Sequence, residues 1–476
     1  MTLVISLVPH IFLPNKKTFR LLLFYSLISI SFTKIFAQEK DNETHFDGFH
    51  LNKIDSAEKW SYHFQLTGIA QGHTNFNSAY SGKNSIVDTG EIAVSLTSTL
   101  FLGRKLWKGA AIYVNPEIAG GKGMSYALGL AGAANGETFR IGSPEPKVYI
   151  ARAFFQQHIK LKNSDKEFQE GDLNQLGEFV PSSRITITAG KFSIADFYDD
   201  NAYSHDPRSQ FLNWSLMSNG AWDYPADTRG YTWGLVAELI KPKWAIRLSS
   251  VMMPARANGP DLDANYTKAH AETIEIERKL NVNNHPGCIK LLGFQNYSSA
   301  PTYNDAINTM KSGDSTLYFT IGGQRSGIRY GGVKYGFGLS IWQEFTKNFG
   351  VFARVSWNDG KSSTWAFTEI DHSVSLGLSL KMGKIKRADD IFGLAAVING
   401  ISSDHYDYLN NGGYGFIIGD GKLTRYTNEI IIESYYKIKL FHSLWLTADY
   451  QCVLNPAYNV DRGPVNIFSL RAHVEF

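Results

Sequence analysis

The chain closes on Asn466–Phe476, "NIFSLRAHVEF", and the fold turns on how that stretch is read. Phe468, Leu470, Ala472, Val474 and Phe476 are apolar, and Ser469, Arg471, His473 and Glu475 stand between them. Strict alternation puts one apolar face and one wet face on the same β-strand. Most domains let their last residues fray. A strand that alternates through to a terminal aromatic is expected to be structural.

The same pattern recurs upstream. "WSYHFQLTG" at 60–68 sets Trp60, Tyr62, Phe64 and Leu66 against Ser61, His63, Gln65 and Thr67. "SRITITAGK" at 183–191, "HSVSLGLSLK" at 372–381, "EIIIESYYKIKL" at 429–440 and "LWLTADYQC" at 444–452 repeat it. About sixteen such segments can be marked, each of roughly nine to fifteen residues. They begin near Trp60, Gly90, Ala110, Lys147, Arg184, Tyr231, Trp244, His270, Cys288, Val333, Val351, Thr368, Asp390, Asn428, Ser443 and Val465. Some are joined tightly, as at "PKW" 242–244, "KNFG" 347–350 and "FHS" 441–443, and others by long stretches. Short turns at one end and long loops at the other is the outer-membrane barrel pattern.

A membrane-spanning sheet must close, because hydrocarbon offers no partner to an unpaired N–H or C=O. The expected fold is therefore all-β, a transmembrane antiparallel barrel of about sixteen strands. The last strand should close on the first, with Phe476 facing lipid and serving as the recognition signal for outer-membrane insertion machinery. Aromatics near the strand ends would form interfacial girdles.

The N-terminus supports an exported protein. Lys16, Lys17 and Arg20 precede the apolar run Leu21–Phe32, and cleavage after Ala37 fits a secretory signal at 1–37. The run is too short for a membrane span. A polar lead-in follows at 38–58, and residues 59–476 read as one barrel domain. Losing the four positive charges of the signal changes the formal balance from +3 to −1, which gives no electrostatic case for nucleic acid. Two cysteines, Cys288 and Cys452, make neither a disulfide scaffold nor a zinc site, and whether they pair is left open. Neither a metal nor a cofactor is expected.

One stretch does not alternate. Within residues 190–239, Asp196 to Arg229 is rich in Asp, Asn, Arg and Trp and holds Pro207 and Pro225. A loop of that length is uncommon without a task. In a wide barrel the natural task is to fold inward and narrow the lumen.

The segment "AWDYPADTRGYTWG" at 221–234 resembles the carbohydrate-selective porin family of Gram-negative outer membranes. So do "AHAETIEIERK" at 269–279, residues 334–380, "GGYGFIIGDGKL" at 412–423 and residues 449–476. The resemblance covers most of 180–476 and is looser over 38–180. It implies a sixteen-stranded barrel in the outer membrane through which sugars, especially monosaccharides such as glucose, diffuse passively. Small sugars and outer-membrane lipid are then the expected partners, and a homotrimer is compatible with such a barrel.

A selective sugar pore needs hydrogen-bonding groups for hydroxyls and aromatic faces for the ring, and it must release what it binds. Within the non-alternating stretch the candidates are Asp196, Asp199, Arg208, Trp214, Trp222, Asp223, Asp227 and Arg229, with Tyr224 and Trp233 as further aromatic surfaces. On the wet faces of strands they are Arg184, Arg354, Glu433 and Arg471, together with Glu429 and His473. Each could instead pin the loop to the wall. Two other functions compete with this reading. A plugged barrel acting as adhesin or export gate is the main alternative. A barrel enzyme is disfavoured: Ser204, His205 and Asp206 are adjacent, sequence neighbours rarely form a triad, and no nucleophile elbow occurs.

Two loops complete the reading. Tyr303–Met310 is expected to form a helix N-capped by Thr302, with Tyr303, Ile307 and Met310 on one face. Residues 405–422 read as a long loop turned by glycines.

Overall fold

A computed structural model describes residues 58–138, 145–383 and 387–476. The secretory signal expected at 1–37 and, save Glu58, the lead-in expected at 38–58 lie outside the described residues.

The strands are β1 (Trp60–His73), β2 (Glu91–Trp107), β3 (Ala110–Gly121), β4 (Lys147–Lys160), β5 (Lys166–Gln169), β6 (Glu178–Pro181), β7 (Arg184–Phe192), β8 (Thr232–Lys241) and β9 (Trp244–Met252). They continue with β10 (His270–Val282), β11 (His285–Ser298), β12 (Gly332–Thr346), β13 (Phe349–Asn358), β14 (His372–Met382) and β15 (Arg387–Gly400). The series ends with β16 (Glu429–Phe441), β17 (Leu444–Leu454) and β18 (Val465–Glu475). Among the described residues, sixteen of these close into one antiparallel barrel, and β5–β6 form a separate hairpin between β4 and β7. Closure is β1 on β18, from Gln65 opposite Glu475 to His73 opposite Ile467. Phe476 continues the ladder: its N–H and C=O both pair with Phe64, while its ring stays 65% exposed.

The two faces of the wall invert the pattern of a water-soluble sheet. On β14, Val374 and Leu376 are 53% and 63% exposed, whereas Ser373 and Ser375 are 4% and 3% exposed. In water such an outer face would forfeit about 1.5–3 kcal/mol for each large apolar side chain left uncovered. Against hydrocarbon it costs nothing. Exposed aromatics cluster at both ends: Trp60, Trp107, Phe345, Phe441 and Phe476 at one, Trp233, Tyr335, Trp357 and Phe468 at the other. Tyr335 and Phe345 bound the outward face of β12. Ten residues at about 3.3 Å each, tilted about 40°, span about 25 Å, the height of an outer-membrane apolar band.

Strand starts fall within a few residues of the alternation, with three informative differences. β14 starts at His372 rather than near Thr368, because Glu369 and Asp371 are committed to loop contacts. β11 and β15 start earlier, at His285 and Arg387, where polar residues next to the turns still join the ladder. The tight turns, the β5–β6 hairpin, the start of β1 and the end of β18 share one end of the barrel. The long loops share the other.

The helix expected near 303–310 spans Tyr303–Lys311, and the Thr302 side chain accepts the Asp305 N–H as its cap. Tyr303 and Ile307 are buried and Met310 packs beside them. The stretch read as a loop from 405 differs: Ser403–Asn410 is a helix, N-capped by Ser402 accepting from the His405 N–H. Its buried face, His405, Tyr408 and Leu409, falls at helical spacing. Both cysteines are free, and their strand positions explain why: Cys288 is buried on the inward face of β11, and Cys452 lies on the outward face of β17.

Candidate functional site

The interior is built from inward-facing polar wall residues and from loops that reach them. The segment 193–231 contacts inward side chains of β10, β12, β13, β16 and β18. A short helix, Trp214–Met217, sits within it, capped by Asn213.

A recurring device holds these loops. A buried carboxylate accepts two or three backbone N–H groups from a neighbouring loop. Glu429 accepts from Ala131 (3.0 Å), Gly132 (2.7 Å) and Ala457 (2.8 Å). Glu433 accepts from Leu212 and Asn213 at 2.5 and 2.9 Å. Asp223 accepts from Trp365, Ala366 and Phe367 at 2.9 to 3.0 Å. Glu369 accepts from Ile417 and Ile418 at 2.8 and 2.7 Å. Such bonds tie loop backbone directly to buried acids. They also satisfy loop N–H groups that would otherwise be buried unpaired.

Two arginines complement them by donating to loop carbonyls. Arg354 Nε bonds Asp199 Oδ1 at 2.9 Å, and its Nη1 bonds the Leu216 carbonyl at 2.8 Å. Asp199 in turn accepts the Asn219 N–H at 2.6 Å. Arg471 Nη1 reaches the carbonyls of Pro207 and Gln210 at 2.6 and 2.8 Å. Thus Asp199, Asp223, Arg354, Glu433 and Arg471 join loop to wall or loop to loop. Trp214 and Trp222 are buried beside them. Trp214, Tyr224 and Phe367 form a mutually contacting ring cluster, with Trp214 5.5 and 5.0 Å from the other two, and Trp222 packs against Tyr198 and Tyr224. Trp233 is on the outward face of β8 and is not an interior aromatic.

The other candidates meet in a different arrangement, on the β1–β4 and β7 side. Arg152 of β4 grips Asp196 through two bonds of 2.6 Å. Arg208 donates to Glu137 at 2.8 Å, to Gln65 at 2.6 Å and to Glu117 at 3.3 Å. Glu117 also accepts from Thr99 at 2.6 Å, from Tyr231 at 3.1 Å and from the Tyr149 hydroxyl. The Arg229 guanidinium lies 3.9 Å from the Tyr149 ring centre. Arg152 and Lys191 lie 5.3 and 5.7 Å from the Tyr231 ring. Asp227 turns the backbone here, accepting the N–H groups of Arg229 and Tyr231 at 2.8 and 3.2 Å. Burial raises the Asp227 carboxyl above its ordinary value despite those bonds. Arg229 Nη1 has no hydrogen-bond acceptor among the described residues.

This patch combines three cations, Arg152, Arg208 and Arg229, with Glu117, Glu137, Asp196 and Asp227 and two tyrosine rings; Lys191 starts on the outward face of β7, opposite Trp233, and approaches only through Tyr231. Arg152, Asp196, Lys191, Arg208 and Arg229 are all partly exposed. Arg184 stands apart, near the short-turn end, where its Nη1 bonds Glu167 at 2.9 Å and the Pro181 carbonyl at 2.9 Å. Glu117, Glu137, Tyr149, Arg152, Lys191 and Tyr231 were not among the sequence candidates. The signal available for Glu117 was a carboxylate on the wet face of an alternating strand, the criterion that selected Arg354 and Glu433.

The comparisons with known proteins agree with the fold. Residues 83–476 match the family model described as carbohydrate-selective porin, OprB family. That match extends further toward the N-terminus than the motifs quoted above. No curated protein matches the chain. Among solved structures, the high-pH structure of Pseudomonas putida OprB is similar with a TM-score of 0.63 and 15% identity, over 88% of this chain and 94% of that one. The outer membrane channel DcaP of Acinetobacter baumannii matches with a TM-score of 0.44 and 9% identity, over 89% and 99% of the two chains.

Proposed function

This chain belongs to the carbohydrate-selective porin, OprB family, and from that premise we propose that its mixed-charge patch is the selective constriction for monosaccharides such as glucose. The protein is an outer-membrane porin for passive, selective diffusion of carbohydrates. The proposal concerns which residues select. In it, segment 193–231 narrows the lumen and leaves the path along the inner face of β3, β4 and β7.

The observation that carries this reading is the arrangement of Arg152, Asp196, Arg208, Glu117 and Arg229 around Tyr149 and Tyr231. Fixed donors and acceptors alternate within a few ångströms, as vicinal sugar hydroxyls do. The half-buried Tyr149 ring offers an apolar face, and buried Tyr231 backs it. Opposed charges across a passage orient water and disfavour apolar solutes. A solute hydroxyl must displace an existing bond, such as one of those made by Arg208, so binding stays weak enough for release. Arg184 and the buried candidates Asp199, Trp214, Trp222, Asp223, Arg354, Glu433 and Arg471 are assigned to holding the wall and loops, and Asp227 to shaping the turn that aims Arg229.

The same reading assigns the remaining parts. Residues 1–37 are a cleaved export signal, 38–58 a lead-in and 59–476 the barrel. The Phe476 strand is recognised by the insertion machinery, the outward face meets lipid, and the short turns face the periplasm. Trimer formation has no interface assigned to it. The test is swelling of liposomes carrying the purified barrel. Glucose should enter faster than a disaccharide of similar chemistry. Equal rates for small solutes of every kind overturn the selectivity claim.

A further inference from the structure

The hairpin β5–β6 and its flanks, residues 161–183, form a second inward element at the opposite end of the barrel from the long loops. Its course is fixed at both ends. Leu161 and Ser183 pair at its base (3.1 Å), where β4 ends and β7 begins. Its tip crosses the inner wall: Asn115 of β3 donates to Asn174 at 2.8 Å, Ser61 of β1 to the Gln175 carbonyl at 3.4 Å, and Lys105 of β2 to Glu178 at 2.5 Å. Glu58 bonds Gly177 through both its backbone and its carboxylate, each at 2.8 Å. Leu176 and Val180 are buried against the wall.

The face turned away from the wall is aromatic. Phe168 and Phe179 are directly opposed across the two strands, with ring centres 5.2 Å apart and planes at 66°. They are 38% and 49% exposed. Neither belongs to the outward-facing strand surface that meets lipid. Glu167 and Gln169 alternate with Phe168 onto the hairpin's other face, where Arg184 bonds them at 2.9 and 3.4 Å and helps hold the hairpin in place.

Resting on the reading of the protein as a sugar pore, we propose that Phe168 and Phe179 form a second sugar subsite, a low-affinity platform for the apolar face of a pyranose ring at the short-turn mouth. Two exposed rings in a strapped, pre-formed hairpin present an apolar surface at no ordering cost when a ring settles on it. Solute then meets two elements in series: the charged patch, which reads hydroxyls, and the aromatic pair, which reads the ring face.

The test compares D-glucose with its open-chain polyol, D-glucitol, which has hydroxyls and no ring. Flux at low solute concentration is measured in liposomes carrying wild type, F168A/F179A or F168L/F179L. The leucine variant keeps the bulk and the hairpin face and removes only the rings. Both variants are expected to lose about three- to tenfold in glucose flux while D-glucitol flux holds. Unchanged glucose flux in the leucine variant overturns the subsite, and so does a parallel change for both solutes, which would make the hairpin a spacer. Glucose-to-D-glucitol discrimination that survives F168L/F179L, with glucose-to-disaccharide discrimination lost in R229A, rejects this platform and keeps the constriction. A wild-type barrel that passes glucose and D-glucitol equally rejects the platform, whereas equal entry of glucose and a disaccharide rejects the constriction.

Discussion

The loop-to-wall contacts on the β10–β18 side and the charged patch on the β1–β4 and β7 side use the same residue types to different ends. On the first, buried carboxylates are closed by backbone N–H groups, as Glu429 is by Ala131, Gly132 and Ala457. On the second, carboxylates face side-chain cations and hydroxyls, as Glu117 faces Arg208, Thr99 and Tyr231. Backbone donors cannot swing away, so the first arrangement fixes loops. Side-chain donors can exchange partners, so the second can take a solute hydroxyl in place of a neighbour. For Glu429 and Glu117 the distinction between scaffold and selector lies in the partner, not in the acid.

The largest break in that comparison should come from the scaffold. Arg354→Ala would leave Asp199 buried without its cation, a loss of about 3–5 kcal/mol. Asp223→Ala would orphan three backbone N–H groups, a comparable cost at about 1–3 kcal/mol for each. Both variants are expected to unfold at clearly lower denaturant concentration than wild type. The check is a denaturant titration of the refolded barrel in detergent. A midpoint matching wild type for both would remove these residues from the scaffold.

An effect of next size concerns the long-loop mouth. Asp371 lies outside the strands and is buried. Burial opposes its ionisation, yet its bond to His405 (3.0 Å), nearby Lys334 and the Ser402 N–H hold its carboxyl well below the ordinary range. A depressed carboxylate stabilises the fold fully above its unfolded value of about 3.9, and the contribution disappears as pH falls through the folded value. The helix Ser403–Asn410 should therefore stay protected at pH 5 and open only below about pH 4. Amide exchange across that helix at the two pH values is the measurement. Opening already at pH 5 would contradict the sign.

How much of this the sequence disclosed depends on how local each signal was. A strand long enough to cross the membrane carries its own alternation, so β1, β7 and β18 were legible one by one. The β5–β6 hairpin was not, because four residues per strand are too few to establish a period. The helix at Ser403–Asn410 was hidden by the glycines that follow it, though Ser402 ahead of His405, Tyr408 and Leu409 is a start signal with helical spacing. The division of the candidates was beyond reach for a different reason. Asp196 and Asp223 sit in the same loop with the same chemistry. Only the folded chain brings Arg152 to one and the backbone of 365–367 to the other.

A smaller effect tests the caps that the sequence did disclose. Thr302→Ala removes the acceptor of the Asp305 N–H and should cost about 1 kcal/mol, confined to helix Tyr303–Lys311. Faster amide exchange at that helix with an unchanged barrel midpoint is the expected result. A global loss would mean that the helix is part of the wall's cooperative unit.

The smallest change in stability should come from the patch, and there the comparison is sharpest. Arg229 is partly exposed, contacts the Tyr149 ring through a cation–π interaction and has one nitrogen without an acceptor among the described residues. Arg229→Ala forfeits about 0.5–2 kcal/mol of that contact, and loss of the unsatisfied donor offsets part of it. The denaturant midpoint should stay near wild type. Selectivity should not: with the guanidinium gone, the ratio of glucose to disaccharide entry is expected to shift by about two- to fivefold, toward weaker discrimination. Lower stability with unchanged ratios would place Arg229 with Arg354 in the scaffold. A changed ratio in an intact barrel separates the two regions by function, because no scaffold residue can alter sugar choice without first loosening the loop it holds.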